Sequence, residues 1–242
     1  MRHLRKLILL TIALIVAIQF SACRKECENL TTEEVSITGQ IQGVIIEGPW
    51  DVTITQDSTN NNAVLEYCAC EKNKVSAKLQ SNGYLHIKIS SWSHSHCNDV
   101  FRATVNAVAL KKIEASGATN IRTYGNFTGN STDVDLSGAS KVTMDGISVE
   151  YCSVNCSGAS TFKCSGYAAE TSFTGSGASN IKTLNLVSEN LNIDLSGASE
   201  AEVTVNNAIK GRVSGASTLK YKRAKDVSGV SVSGGSKIIR LD

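Results

Sequence analysis

Cys156-Ser157-Gly158-Ala159-Ser160-Thr161-Phe162 lies in mid-chain, and its Ser-Gly-Ala-Ser core decides the fold. Near-copies of that tetrad begin at Ser116, Ser137, Ser176, Ser196 and Ser214, and a last Ser-Gly-Gly-Ser begins at Ser233. Successive copies are 21, 20, 19, 20, 18 and 19 residues apart. A period of about twenty residues is the mark of a solenoid, in which each repeat is one coil stacked on the last.

The flanks of the tetrad alternate. One and three residues before it stand Val134/Leu136, Val154/Cys156, Phe173/Gly175, Ile193/Leu195, Gly211/Val213 and Val230/Val232. Five residues after its first Ser come Ile121, Val142, Phe162, Ile181, Ala201, Leu219 and Ile238, with Arg122, Thr143, Lys163, Lys182, Glu202 and Lys220 next to them. Apolar-polar alternation of period two reads as a strand with one face buried. A third stretch, Ile147/Val149, Tyr167/Ala169 and Leu184/Leu186, completes each coil.

The chain therefore reads as all-β: a single-stranded, three-sided β-helix of about 20-residue coils, right-handed by the crossover rule. Gly117, Gly138, Gly158, Gly177, Gly197, Gly215 and Gly234 are the structural corners, where the chain bends through angles closed to other residues. The Ala after each glycine is expected inside the corner, with the flanking hydroxyls bonding from coil to coil. Seven coils at strand spacing would rise roughly 34 Å.

Outward from the repeats, residues 111–242 form the solenoid and 35–110 a non-repeating β region that caps it. Val35-Ser-Ile37, Val44-Ile-Ile46, Val52-Thr-Ile54 and Leu85-His-Ile87-Lys-Ile89 are strand-like, Ser81-Asn82-Gly83 is a hairpin signal, and 57–62 is a polar loop. Residues 23–34, charged and polar, read as a flexible tether.

Residues 1–22 read as a signal peptide. Arg2, Arg5 and Lys6 precede an apolar run over 7–18, too short to span a bilayer comfortably. The run closes on Phe20-Ser21-Ala22-Cys23, which resembles a bacterial lipobox. That resemblance implies that Cys23 becomes the acylated first residue, carrying palmitate-type chains, and anchors the protein to the outer membrane on its periplasmic or surface side. Without the three basic residues of the signal, 21 Lys+Arg remain against 22 Asp+Glu. No basic stripe is left for phosphates, so nucleic acid is not an expected partner.

An exported chain permits disulfides, and seven cysteines follow Cys23: 27, 68, 70, 97, 152, 156 and 164. Cys68-Ala-Cys70 and His94-Ser-His96-Cys97 are the one grouping with metal-ligand types. The preferred reading is a disulfide from Cys97 to Cys68 or Cys70, pinning the 90–99 loop, with a metal as the alternative. Cys68 and Cys70 are expected on one face of a strand. Trp92, with His94 and His96, makes this loop a candidate ligand site, Trp92 serving as a sugar platform or simply anchoring the loop. Cys152, Cys156 and Cys164 fall at inward positions and read as packing, with room for one bond among them.

No catalytic residue is assigned and no cofactor is expected. A nucleophile elbow needs Gly-x-Ser-x-Gly on a strand-to-helix turn plus a histidine base, and no histidine follows His96. Asp135 and Asp194 take equivalent outward positions but are separated by Asn155 and Thr174.

The layout also resembles the head GIN domain family of putative autotransporter adhesins, from about Val35 to about Tyr221. The residues that carry the likeness are the opening strands, Gly83-Tyr84-Leu85-His86-Ile87, Leu110-Lys111-Lys112-Ile113-Glu114-Ala115-Ser116-Gly117, and the spaced Ser-Gly-Ala steps. The resemblance implies a β-solenoid at the cell envelope. The expectation is thus a non-enzymatic lipoprotein presenting a rigid surface to a glycan or to an envelope or host protein. The rivals are a β-helix carbohydrate-active enzyme and a structural envelope protein assembling end to end. A deep groove lined by several converging charged residues would favour the enzyme.

Overall fold

In a computed structural model the protein is described over residues 29–91 and 100–242. The tetrads stack in register along one line. Each third residue donates its amide to the glycine carbonyl of the previous coil: Ala139 to Gly117, Ala159 to Gly138 and Ala178 to Gly158 at 2.8 Å, then Ala198 to Gly177, Ala216 to Gly197 and Gly235 to Gly215 at 2.7 Å. The glycines are needed twice over. Gly158 has φ +71°, and a Cβ built on it would stand 2.7 Å from the Gly138 carbonyl oxygen.

Strands run between these corners. Those of the repeat region are β8 (Lys112–Ser116), β9 (Asn120–Tyr124), β10 (Phe127–Leu136), β11 (Lys141–Cys156), β12 (Thr161–Gly175), β13 (Asn180–Leu195), β14 (Glu200–Val213), β15 (Thr218–Lys222), β16 (Asp226–Val232) and β17 (Lys237–Arg240). The strands from β11 to β14 pair in parallel with their equivalents on the coils before and after, and β16 and β17 with the coil before, giving a β-solenoid with coils about 20 residues apart. A long strand such as β11 leaves one corner along the second face, crosses the third and reaches the next corner along the first. The inward rows are buried as the alternation requires, with Val142, Phe162, Ile181, Ala201 and Leu219 all fully covered.

Two details differ from expectation. The alanines of the corners point out and are exposed, while the fourth residue turns in: Thr119, Ser140, Ser160, Ser179, Ser199 and Ser217 are buried. The inward turn lets a hydroxyl reach back to the carbonyl three residues earlier, as Ser140 does to Ser137 and Ser199 to Ser196, each at 2.7 Å. An alanine there would leave that carbonyl without its side-chain donor. On the third face Tyr167 points outward and Ala168 inward, because a bulge between Lys163 and Ser165 shifts the register by one residue.

The N-terminal part is largely more solenoid. β2 (Gly43–Glu47) and β3 (Asp51–Gln56) flank a corner at Gly48 and pair in parallel with β8 and β9. β6 (Tyr84–Ile89) and β7 (Phe101–Ala107) stack in parallel on the far side of β2 and β3. The coil from 43–56 thus sits between the β6 and β7 strands on one side and the coil of 112–124 on the other, so spatial order departs from chain order. Trp50 and Phe101 meet edge-on across it, with ring centroids 5.3 Å apart.

The covering of the end is narrower than the cap expected over 35–110. β4 (Ala63–Cys68) runs antiparallel to β7, and β5 (Val75–Leu79) antiparallel to β6 through the turn at Gly83. Outside them lies β1 (Leu30–Glu34), antiparallel to β4. Residues 30–34 are therefore a strand rather than tether, and 35–37 are not a strand. Pairing with the β4 edge supplies β1 with partners that a polar segment would otherwise find only in water. The Tyr67 hydroxyl donates to Glu33 across that pair. At the other end Val232, on an inward row, is 47% exposed, since no described coil lies beyond it.

Candidate functional site

The coils keep strict register at the tetrads and lose it at the edge between the second and third faces. Register shifts occur there between Met144 and Ile147, between Lys163 and Ser165, and between Thr183 and Val187. Unequal coil lengths must be absorbed between the corner ladders, and this edge takes most of the slip, with further shifts between Ser188 and Asn190 and between Ala208 and Lys210. The result is a groove of about 350 Å3 lined by Thr143, Asp145, Lys163, Ser165, Lys182 and Asn185 among others.

Lys163 and Lys182 stand in register on adjacent coils. Like charges directly opposite on neighbouring strands are destabilising. Neither lysine closes an ion pair with a described carboxylate. Glu202, in register with Lys182 and also in the groove, turns instead to Lys220 at 3.3 Å, which holds Glu200 at 2.6 Å. The Lys220 contact keeps the Glu200 carboxyl below its ordinary range, and the same two carboxylates raise the Lys220 ammonium above its own. The groove thus presents two unpaired ammoniums, one unpaired carboxylate on Asp145, and hydroxyl and amide groups from Thr143, Ser165 and Asn185. It is open rather than deep, with Asp145, Lys163 and Lys182 exposed.

The described cysteines divide into three sets. Cys68 is disulfide-bonded and buried, whereas Cys70 is free and exposed. They do not share a strand face: β4 ends at Cys68 and a single 3-10 turn, Ala69–Glu71, carries Cys70 away. Cys152, Cys156 and Cys164 are free, inward and buried. Burial pushes the Cys152 and Cys156 thiols up to about 12, and Cys164 is raised by burial too. Cys23, Cys97, Trp92, His94 and His96 lie outside the described residues. Among the described residues no three His, Cys, Asp or Glu side chains gather as metal ligands would.

All seven corner glycines have φ between 69° and 86°. The groove was not anticipated from sequence. Its one trace there is the unevenness of the 18- to 21-residue steps, which shows that register slips somewhere in each coil.

A parallel solenoid of short coils, with glycine corners on one line and a polar lateral groove, defines the class of protein. The chain belongs to the family described as "Putative auto-transporter adhesin, head GIN domain", which matches residues 41–224. Among solved structures it is similar to a putative adhesin from Bacteroides fragilis, with TM-score 0.77 and 17% identity, covering 88% of this chain and 98% of that one. It is also similar to a putative adhesin from Parabacteroides distasonis, with TM-score 0.66, 16% identity and coverage of 88% and 97%. A putative lipid binding protein from the same species aligns with TM-score 0.63, 16% identity and coverage of 89% and 98%. At these identities the likeness is one of fold. No curated protein sequence matches the chain.

Proposed function

We propose that this chain is a cell-envelope lipoprotein, acylated on Cys23 and held at the outer membrane, whose solenoid is a rigid, non-enzymatic surface for adhesion. The ligand is a glycan or an envelope or host protein. Family membership supports an envelope setting and contact with something external.

The observation that carries the reading is the groove with its in-register Lys163 and Lys182. A strand-backed surface that holds two ammoniums, neither within ion-pair distance of a described carboxylate, beside hydroxyl and amide groups is already arranged for a polar ligand, at little ordering cost. Several charged side chains do line this groove, which is the feature set out above as favouring an enzyme. The groove is shallow, however. Of its carboxylates Glu202 is engaged by Lys220, leaving Asp145 without the second free carboxylate that glycoside hydrolysis generally uses.

A soluble version spanning 29–242, applied to glycan and envelope-protein arrays, tests the reading. Saturable binding that weakens in Lys163→Glu and Lys182→Glu supports it. Silence on both arrays contradicts it. Incorporation of a palmitate analogue that disappears in Cys23→Ser tests the anchor separately. End-to-end assembly is a second reading for one reason, the exposed inward-row Val232 of the last described coil. Concentration-dependent oligomers in light scattering would support it.

A further inference from the structure

The third face of the solenoid starts late. Its first strand is the opening part of β10, where residues 127–132 pair with β11 on one side. On the other side no described residue exchanges a backbone hydrogen bond with residues 127–131. The first and second faces continue past this level through β8 and β9, β2 and β3, and β6 and β7. In place of an earlier third-face strand there is the irregular segment 108–111. It is fastened by Val108 N to Ile41 O at 3.2 Å, Lys111 N to Gln42 O at 2.7 Å and the Thr132 hydroxyl to Leu110 O at 2.9 Å.

Between that segment and β10 lies a hollow of about 440 Å3, lined among others by Leu110, Lys111, Phe127, Thr128, Gly129 and Asn130. Gly129 sits on the inward row, in register with buried Val149, yet a Cβ on it would meet no atom within 4 Å. Lys111 is the one charged residue of the lining, and its ammonium donates to a neutral acceptor, Gln42 Oε1, at 2.7 Å. Exposed edges are ordinarily guarded by charge, proline or a bulge. The stretch Phe127-Thr128-Gly129-Asn130-Ser131 has neither charge nor proline.

We propose that this notch docks an extended, acidic peptide segment of a partner protein, which adds as the absent strand of the third face. Its backbone pairs with the free edge of 127–131 at about 4.8 Å spacing, as in strand addition elsewhere. One apolar side chain enters the space beside Gly129, and a carboxylate meets the Lys111 ammonium.

The probe is a fluorescent synthetic peptide with the sequence of the chain's own third-face strand, residues 184–190 (Leu-Asn-Leu-Val-Ser-Glu-Asn), titrated into the mature chain. Within this sheet Val187, Ser188 and Asn190 of that segment pair in parallel on both sides, and it carries Glu189. Saturable binding is expected, with slowed amide exchange at residues 127–131. Gly129→Leu fills the hollow and lowers affinity tenfold or more. Lys111→Glu lowers it several-fold, and a peptide carrying Glu189→Lys restores binding to that variant. Binding that ignores both substitutions overturns the proposal, as does unchanged exchange at 127–131. A dimer of the unliganded chain that Gly129→Leu dissolves would also overturn it, by making the occupant a second copy.

Discussion

The carbonyl oxygen of Gly138 lies where a side chain on Gly158 would have to stand, 2.7 Å from a Cβ built there. The contact recurs at each later corner, so the coils approach one another through backbone alone. Gly158→Ala must both adopt φ +71° and push two coils apart. A loss of about 2 kcal/mol is expected, from overpacking and left-handed strain together. Urea unfolding measures it. Ala159→Ser, one residue on but exposed, should stay within about 0.5 kcal/mol of the parent.

The buried hydroxyl column predicts a contrast. Ser199 donates to Ser196 O at 2.7 Å, whereas the Ser160 hydroxyl has no adequate hydrogen-bond partner. Ser199→Ala should cost about 1 kcal/mol, and Ser160→Ala should be neutral or stabilising, because it removes an unsatisfied buried group. Equal losses at both positions in thermal or urea unfolding would sink the assignment of the fourth tetrad residue to the interior.

The thiols predict a pH dependence with a definite sign. Cys152, Cys156 and Cys164 are raised in the folded chain, chiefly by burial, and Tyr67 is raised to about 12 by burial and by Glu33. Above about pH 8.5 the unfolded chain releases thiol protons that the folded chain retains, so stability falls as pH rises toward about 12, by up to ~1.4 kcal/mol per pH unit for each thiol. The urea midpoint should drop between about pH 7 and about pH 10, and drop less in Cys152→Ala/Cys156→Ala/Cys164→Ala. Of the described free cysteines, Cys70 alone should react with a thiol reagent before unfolding.

Lys163→Glu is expected to leave stability unchanged or slightly raised, since it turns a like-charge neighbour of Lys182 into an opposite-charge one. Binding through the groove should fall in the same variant. A variant that loses both stability and binding would make the lysine pair structural.

The tetrad and its flanks made the solenoid, its corners and most of its inward rows legible, because one period of about twenty governs all three. What escaped depended on contacts between coils. Whether Ala159 or Ser160 turns inward is decided by a carbonyl three residues earlier, and a string of small residues does not disclose it. Tyr167 was placed one residue out of phase because the bulge beside Lys163 leaves no mark in hydrophobic alternation. The insertion of the 43–56 coil between two later ones is a long-range pairing choice, invisible locally. For residues 30–34, composition suggested a tether, and only the β4 edge makes them a strand.

Engineered disulfides test the registered stacking most directly. In a Cys70→Ser background, Ala139→Cys paired with Ala159→Cys should oxidise readily, since neighbouring coils stand about 4.8 Å apart and a bridge needs Cα atoms about 4.4–6.8 Å apart. Ala139→Cys with Ala178→Cys, two coils apart, should stay reduced. Equal bridging of the two pairs, or bridging of the second alone, would contradict the stacked-coil account and the surfaces inferred from it.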